Sequence, residues 1–95
     1  MNISENNFNQ EYLANLLLGN RRKCSDIAHR FLNENNSIND LYEKVIKIAL
    51  YEVGTLWEQN KISVAAEHLA TAITEGILNE LFEQIIANKR INKKL

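Results

Sequence analysis

The stretch VGTLWEQNKISVAAEHLAT, residues 53–71, decides the fold because it joins two helical patterns through a very short turn. Apolar residues at helical spacing run up to Trp57 and resume after the turn, through Leu69. Asn60 tolerates the left-handed conformation that ends a helix, and Ser63 can cap the start of the next one. Helices joined so tightly must lie side by side and antiparallel. The stretch therefore predicts a helical hairpin.

Further turn signals divide the rest of the chain. Gly19 has the position of a helix stop, and Asn20 can cap the helix that follows. Ser37 and Asp40 resemble a capping box, which opens a third helix. The predicted helices cover about residues 9–18, 21–33, 38–59 and 63–88, and a basic tail follows at 89–95. Because the connections are short, we expect an all-α fold, an up-and-down four-helix bundle that forms one domain over residues 1–95.

Bulk composition limits the function. The chain is 45% hydrophobic and has no proline, which suits a helical globular domain. Its formal net charge of −1 gives no broad positive field, so direct nucleic-acid binding is not expected. The sequence lacks both the ~20-residue apolar run of a membrane span and the apolar core of a signal peptide. Cys24, the single cysteine, cannot form an internal disulfide and fits a core position. We expect a soluble cytoplasmic protein.

Trp57 and Glu67 are brought together by the turn. With a rise of ~1.5 Å per residue, Trp57 lies roughly one turn before the end of the third helix and Glu67 roughly one turn after the start of the fourth. They should therefore lie level, at the same end of the bundle. Glu67, Thr71 and Thr74 form a stripe at the edge of the apolar face, where a carboxylate and hydroxyls could meet a polar ligand. His68 points about 100° away from Glu67.

Gly54 and Gly76 lie inside predicted helices, where each glycine costs about 1 kcal/mol relative to alanine. Such a cost is accepted where something approaches the backbone closely. We expect that neighbour to be either another helix or a flat ligand.

Structural interpretations compete with a binding site. Periodicity alone favours core packing for Trp57, and Glu67 is favourable near the positive end of any helix. His29 and His68 have no spacing that favours a metal, so structural hydrogen bonding is the simpler role. The basic cluster Arg21-Arg22-Lys23 is most simply a solvated helix end. The sequence has no HExxH, paired CxxC, phosphate-binding glycine loop or nucleophile elbow, so neither a metal site nor catalysis is expected.

Three features carry a resemblance to a known family: LLLGNRRK at 16–23, SINDLYEKVIKIALYEVGTLWEQNKISVAAEHLAT at 37–71, and within the latter a Trp and a Glu-His pair with nine residues between them. The chain resembles the helical cap domain of cobalamin (B12)-binding proteins, particularly that of B12-dependent MerR-type regulators that sense light. The resemblance implies that the bundle covers the upper face of the corrin ring, while a Rossmann-like domain, in cis or in trans, holds the lower face.

The resemblance also implies roles for individual residues. Trp57 and Glu67 would shield and contact the upper axial group, most simply adenosyl, and His68 would assist them. Val53, Gly54 and Thr71 complete the predicted set of cofactor contacts. No protein ligand to the metal is expected from this chain.

Two departures from the family pattern limit these expectations. Light-sensing members can have a histidine directly after the motif tryptophan, and this chain has Glu58 there. The strands and the Asp-x-His-x-x-Gly motif of the lower-ligand domain are missing from the 95 residues, so cobalamin binding should need the Rossmann-like partner.

Three functions follow as hypotheses. The first is a cap that encloses adenosylcobalamin as part of a B12-dependent sensor or transcriptional regulator. The second is the cap of a methylcobalamin-carrying corrinoid protein in a methyltransferase system. The third is a non-catalytic helical interaction or dimerisation module. Homo-oligomers are compatible with all three, and none requires a membrane.

Overall fold

Four helices make up the computed structural model, which describes the backbone of residues 4–92 and the side chains of residues 8–87. They are α1 (Ser4–Leu17), α2 (Arg21–Leu32), α3 (38–58) and α4 (Val64–Asn92). Residues 4–92 contain no strand, and α1 packs against each of the other three helices. The predicted all-α helical bundle is confirmed. No helix within the described range is both long and apolar enough to span a membrane.

The helix ends differ from the sequence prediction at both termini. α1 begins at Ser4, before the predicted start at 9. Residues 4–8 contain one apolar residue, Phe8, and a single apolar residue shows no helical periodicity. α4 continues to Asn92 instead of ending at 88, since no glycine or proline follows Gly76 to stop it. It includes the first part of the predicted basic tail, and 93–95 lie outside the described residues.

Local capping chemistry ends and begins the helices as predicted. Gly19 has φ +71° and its N–H donates to the Leu16 carbonyl at 3.0 Å, which closes α1. The Asn20 side chain accepts a hydrogen bond from the Lys23 N–H at the start of α2. In the capping box that opens α3, the Ser37 hydroxyl and the Asp40 carboxylate each accept a backbone N–H at 3.0 Å. These bonds hold the pKa of Asp40 below its usual value.

α3 is one continuous helix that contains a π-helical turn. Its consecutive parts are Ile38–Leu41, the π-helical Tyr42–Ile46 and Lys47–Glu58. The Lys47 N–H donates to the Tyr42 carbonyl five residues earlier. An extra residue in one turn shifts the phase of everything after it by about 100°. Val45 and Ile46 are therefore both fully buried, and so is Val53 two turns later.

The core lies between the four helices and contains Cys24, as the sequence predicts. Thr74 was predicted at the edge of α4, but it is buried, and its hydroxyl pairs with the Tyr12 hydroxyl at 2.8 Å. Leu69 was predicted on the central core stripe, yet it is 50% exposed. Its Cδ2 lies 3.1 Å from where a Cβ of Gly19 would be, so Leu69 packs against the α1–α2 turn, which covers one side only.

Candidate functional site

The turn between α3 and α4 fixes the ends of both helices. Asn60 has φ +60°, and its N–H donates to the Trp57 carbonyl at 2.9 Å. The next N–H, of Lys61, reaches back to the Leu56 carbonyl at 2.8 Å, which completes a Schellman cap. On the other side of the turn, the Ser63 hydroxyl accepts the Ala66 N–H at 3.1 Å and caps α4. The predicted roles of Asn60 and Ser63 are confirmed.

A hollow of about 410 Å³ lies next to this turn, between α3 and the beginning of α4. We call it the Trp57 hollow. Its lining consists of Leu50, Tyr51, Gly54, Thr55, Trp57 and Glu58 from α3 and Glu67 from α4. Three residues predicted to form a site, Trp57, Gly54 and Glu67, thus line one concave surface. Ligand sites in proteins typically have volumes of ≈ 300–1,000 Å³.

Trp57 is not part of the core. Its side chain is 45% exposed, so the core-packing interpretation that periodicity alone favoured is wrong. Trp57 follows Val53 by one turn on the same face of α3, at the end of the helix, and it lines the hollow instead of the core. Burying an indole is strongly favourable, and a half-exposed tryptophan in a hollow leaves apolar area available to a ligand.

Gly54 has open space in front of it. A Cβ built there would meet no atom within 4 Å outside its own helix and chain neighbours. Gly76 differs, since a Cβ there would lie 3.4 Å from Nη2 of Arg21, whose side chain packs across α4. A Cβ at position 76 would thus make an ordinary contact with the Arg21 side chain, whereas a Cβ at position 54 would meet no described residue of the bundle.

Glu67 and His68 meet although they are neighbours on a helix. His68 Nδ1 lies 3.2 Å from Glu67 Oε1, and the two side chains are 76% and 30% exposed, respectively. The predicted divergence of about 100° applies to the Cβ directions, and both side chains are long enough to bend back toward each other. Glu67 lines the Trp57 hollow. His68 contacts the Glu67 side chain from the solvent side and does not line the hollow.

Two predicted site residues lie elsewhere. Val53 is buried in the core, because the π-helical turn directs it inward. The Thr71 hydroxyl donates to the Glu67 carbonyl at 3.2 Å, the i−4 bond that threonine commonly makes in helices. Neither residue lines the Trp57 hollow, so their contact with a cofactor stays a prediction.

Sequence reasoning missed four lining residues. Leu50, Tyr51, Glu58 and Thr55 complete the α3 wall. The first three stand three or four positions from Gly54, as Trp57 does, and such positions share a helix face. A search outward from the unexplained glycine at this spacing would have found them.

Other candidate centres carry less chemistry. Among the described residues, no group of three His, Cys, Asp or Glu side chains could hold a metal ion. The His29 ring makes a local contact instead, with Nδ1 2.8 Å from the Ser25 carbonyl. A hollow of about 500 Å³ at the far end of α3 is lined by Ile38, Asn39, Tyr42, Leu78 and Phe82, without a charged group.

Comparison with known proteins identifies a family. A family model described as a B12 binding domain matches residues 9–82, which include every residue of the Trp57 hollow. A search of curated proteins finds no match to the chain.

Proposed function

The chain belongs to the B12 binding domain family, and we propose that it covers the upper axial face of adenosylcobalamin as part of a B12-dependent sensor or transcriptional regulator. A Rossmann-like cobalamin-binding domain, in cis or in trans, would hold the lower face. The coarser role, a cobalamin-binding helical cap, follows from the family. The adenosyl form, the regulatory context and the partner are the proposal.

The observation that carries the proposal is the unfilled space over Gly54 beside a half-exposed indole. A helix-interior glycine without a packing partner is a cost of about 1 kcal/mol that the isolated bundle does not recover. A flat ligand resting on the helix backbone would recover it. The lining of the hollow suits such a ligand, since Leu50 and Trp57 offer apolar surface and Glu67 offers hydrogen-bond acceptors.

The size of the hollow supports adenosyl over methyl. A methyl group would leave most of about 410 Å³ open, whereas a nucleoside would occupy a large share of it. The hydroxyls of the sugar are donors that a carboxylate such as Glu67 accepts in charge-assisted hydrogen bonds. This favours the adenosyl cap over the cap of a methylcobalamin carrier.

The cofactor, when bound, supplies a cobalt–carbon bond on the face that the cap covers. The residues of this chain would bind and orient the upper group and exclude water from it. Trp57 would form an apolar wall, Glu67 would accept hydrogen bonds, and His68 would hold the Glu67 carboxylate from outside. Light sensing is not proposed, because Glu58 lines the hollow where light-sensing members have a histidine.

The regulatory part of the proposal requires no turnover. A cofactor shifts an equilibrium between free and assembled states by its difference in affinity for the two. The cap would close over a loaded partner more tightly than over an empty one. We propose no enzymatic activity for this chain.

The test measures how tightly the cap binds a Rossmann-like cobalamin domain loaded with adenosylcobalamin, by gel filtration with visible detection and by calorimetry. We expect Trp57→Ala to weaken binding roughly 10–100-fold, as for a buried aromatic anchor, and Glu67→Gln to weaken it less. Tyr42→Ala and Glu75→Gln are matched controls outside the hollow and should bind like the parent.

Each alternative has its own outcome. Equal binding by Trp57→Ala, Glu67→Gln and the parent would overturn the proposed cap geometry. Tighter binding to a methylcobalamin-loaded partner would point to the corrinoid carrier. If the chain binds neither form, the helical interaction module is the remaining hypothesis.

A further inference from the structure

We propose that Gly54 is the floor of a notch between Tyr51 and Trp57, and that this notch holds the flat heteroaromatic base of the upper group, with Glu58 as a second hydrogen-bond acceptor. Tyr51 and Glu58 would thus determine selectivity for a nucleoside. The inference rests on the proposed function and assigns parts of the ligand to parts of the hollow.

The positions of the two aromatic residues define the notch. Tyr51 precedes Gly54 by three residues and Trp57 follows it by three, so they stand about 60° to either side of the glycine on α3. Both line the same hollow, and they are 73% and 45% exposed. The bundle therefore leaves two aromatic surfaces bare on either side of an uncovered stretch of backbone.

The floor of the notch admits a planar group. With no atom within 4 Å of a Cβ at position 54, a ring can reach the helix backbone there. Aromatic rings gain from offset stacking and from edge-to-face contact with a neighbouring ring. A base on the floor would contact Trp57, Tyr51 or both at its edges, and an aliphatic group would gain less.

The polar groups that line the hollow favour a ligand that donates hydrogen bonds. Its charged lining consists of two carboxylates, Glu58 and Glu67, and no lysine, arginine or histidine lines it. The Thr55 hydroxyl already donates to the Tyr51 carbonyl at 3.1 Å. The two carboxylates, of which Glu67 already contacts His68 through Oε1 at 3.2 Å, suit the sugar hydroxyls and the exocyclic amine of a neutral nucleoside, whereas a phosphate-bearing group would be repelled.

The test compares two forms of the loaded partner domain. Cap affinity is measured against adenosylcobalamin-loaded and methylcobalamin-loaded partner, for the parent and for Tyr51→Ala, Gly54→Ala and Glu58→Gln. We expect Tyr51→Ala and Gly54→Ala each to reduce affinity for the adenosyl form about 5–30-fold, as contacts of about one to two kcal/mol would, and Glu58→Gln to reduce it about 3-fold. Affinity for the methyl form should change less than about twofold.

Folding does not confound the glycine variant. Since nothing in the described bundle occupies the space, Gly54→Ala should raise the Tm of the free cap by roughly 4–8 °C while it weakens binding. Tyr42→Ala, an exposed tyrosine at the other end of α3, is the control and should leave both affinities unchanged.

Failure of the inference is distinct from failure of the cap. If Trp57→Ala weakens the adenosyl complex while Tyr51→Ala and Gly54→Ala bind like the parent, the notch is overturned. The proposed role of the chain as a cap would then stand. Equal losses for both cofactor forms would also overturn the notch, because the residues would then contact the corrin or the partner instead of the base. A parent that binds neither form would overturn both proposals.

Discussion

Two pairs of an aromatic and a polar side chain behave in opposite ways in this bundle. Tyr12 and Thr74 are sealed in the core, where their hydroxyls pair at 2.8 Å. Trp57 and Glu67 line a hollow open to solvent. No buried side-chain nitrogen or oxygen in the described part of the chain lacks a partner. The bundle therefore satisfies its buried polar side chains internally, whereas Trp57 and Glu67 lie where solvent or a ligand can reach them.

The sharpest contrast lies between the aromatic residues of the two regions. Phe31 is fully buried, and its ring meets Phe8 edge-on at a centroid distance of 5.2 Å. Phe31→Ala should lower the free energy of unfolding by about 3–5 kcal/mol, because it opens a cavity. Trp57→Ala should lower it by no more than about 2 kcal/mol, since half of the indole is already in water. Urea denaturation measures both, and equal losses would contradict the distinction between core and hollow.

Alkaline pH should unfold the protein through the sealed region. Burial raises the pKa of Tyr12 from 10.0 to about 12 and that of Cys24 from 9.0 to about 11. The unfolded chain therefore loses these protons first, so stability is complete below pH 9 and falls as the pH rises toward 12. Each pKa unit corresponds to about 1.4 kcal/mol.

Denaturation curves recorded at intervals from pH 8 to pH 12 would show this decline, and Tyr12→Phe should make it shallower. A decline equally steep in Tyr12→Phe would mean that the tyrosine is not the group responsible.

The hydroxyl pair itself should contribute a smaller amount. Tyr12→Phe leaves the Thr74 hydroxyl buried without its partner, which should cost about 1–3 kcal/mol. Thr74→Val should cost a similar amount. The double variant should cost less than the sum of the two, because no orphaned hydroxyl remains. Strict additivity in urea denaturation would show that the two hydroxyls do not interact.

The helix ends at the three turns were predictable because their causes are local. Gly19, Asn60, Ser37 and Ser63 act through their own backbone angles or through bonds to residues three positions away. The four-helix architecture followed from these turns and from apolar spacing. The turn also predicted that Trp57 and Glu67 would lie at the same end of the bundle.

Apolar spacing could not predict which residues of α3 face the core. The π-helical turn at Tyr42–Ile46 adds a residue to one turn, and periodicity counted from the sequence assumes that none is added. Val53 entered the predicted site through the family resemblance and is buried, whereas apolar spacing gave Trp57 a core interpretation and its side chain is half-exposed. The i−4 hydrogen bond of the Thr71 hydroxyl could not be read from the pattern either, because it depends on the side-chain rotamer.

The Schellman cap at Asn60 has a consequence for affinity. It ties down the last carbonyls of α3, including that of Trp57, before any cofactor arrives. Ordering a loose segment on binding costs about 1–2 kcal/mol per residue in backbone entropy. A preformed helix end would avoid that penalty when a ligand binds in the Trp57 hollow, and the complex would last longer as a result.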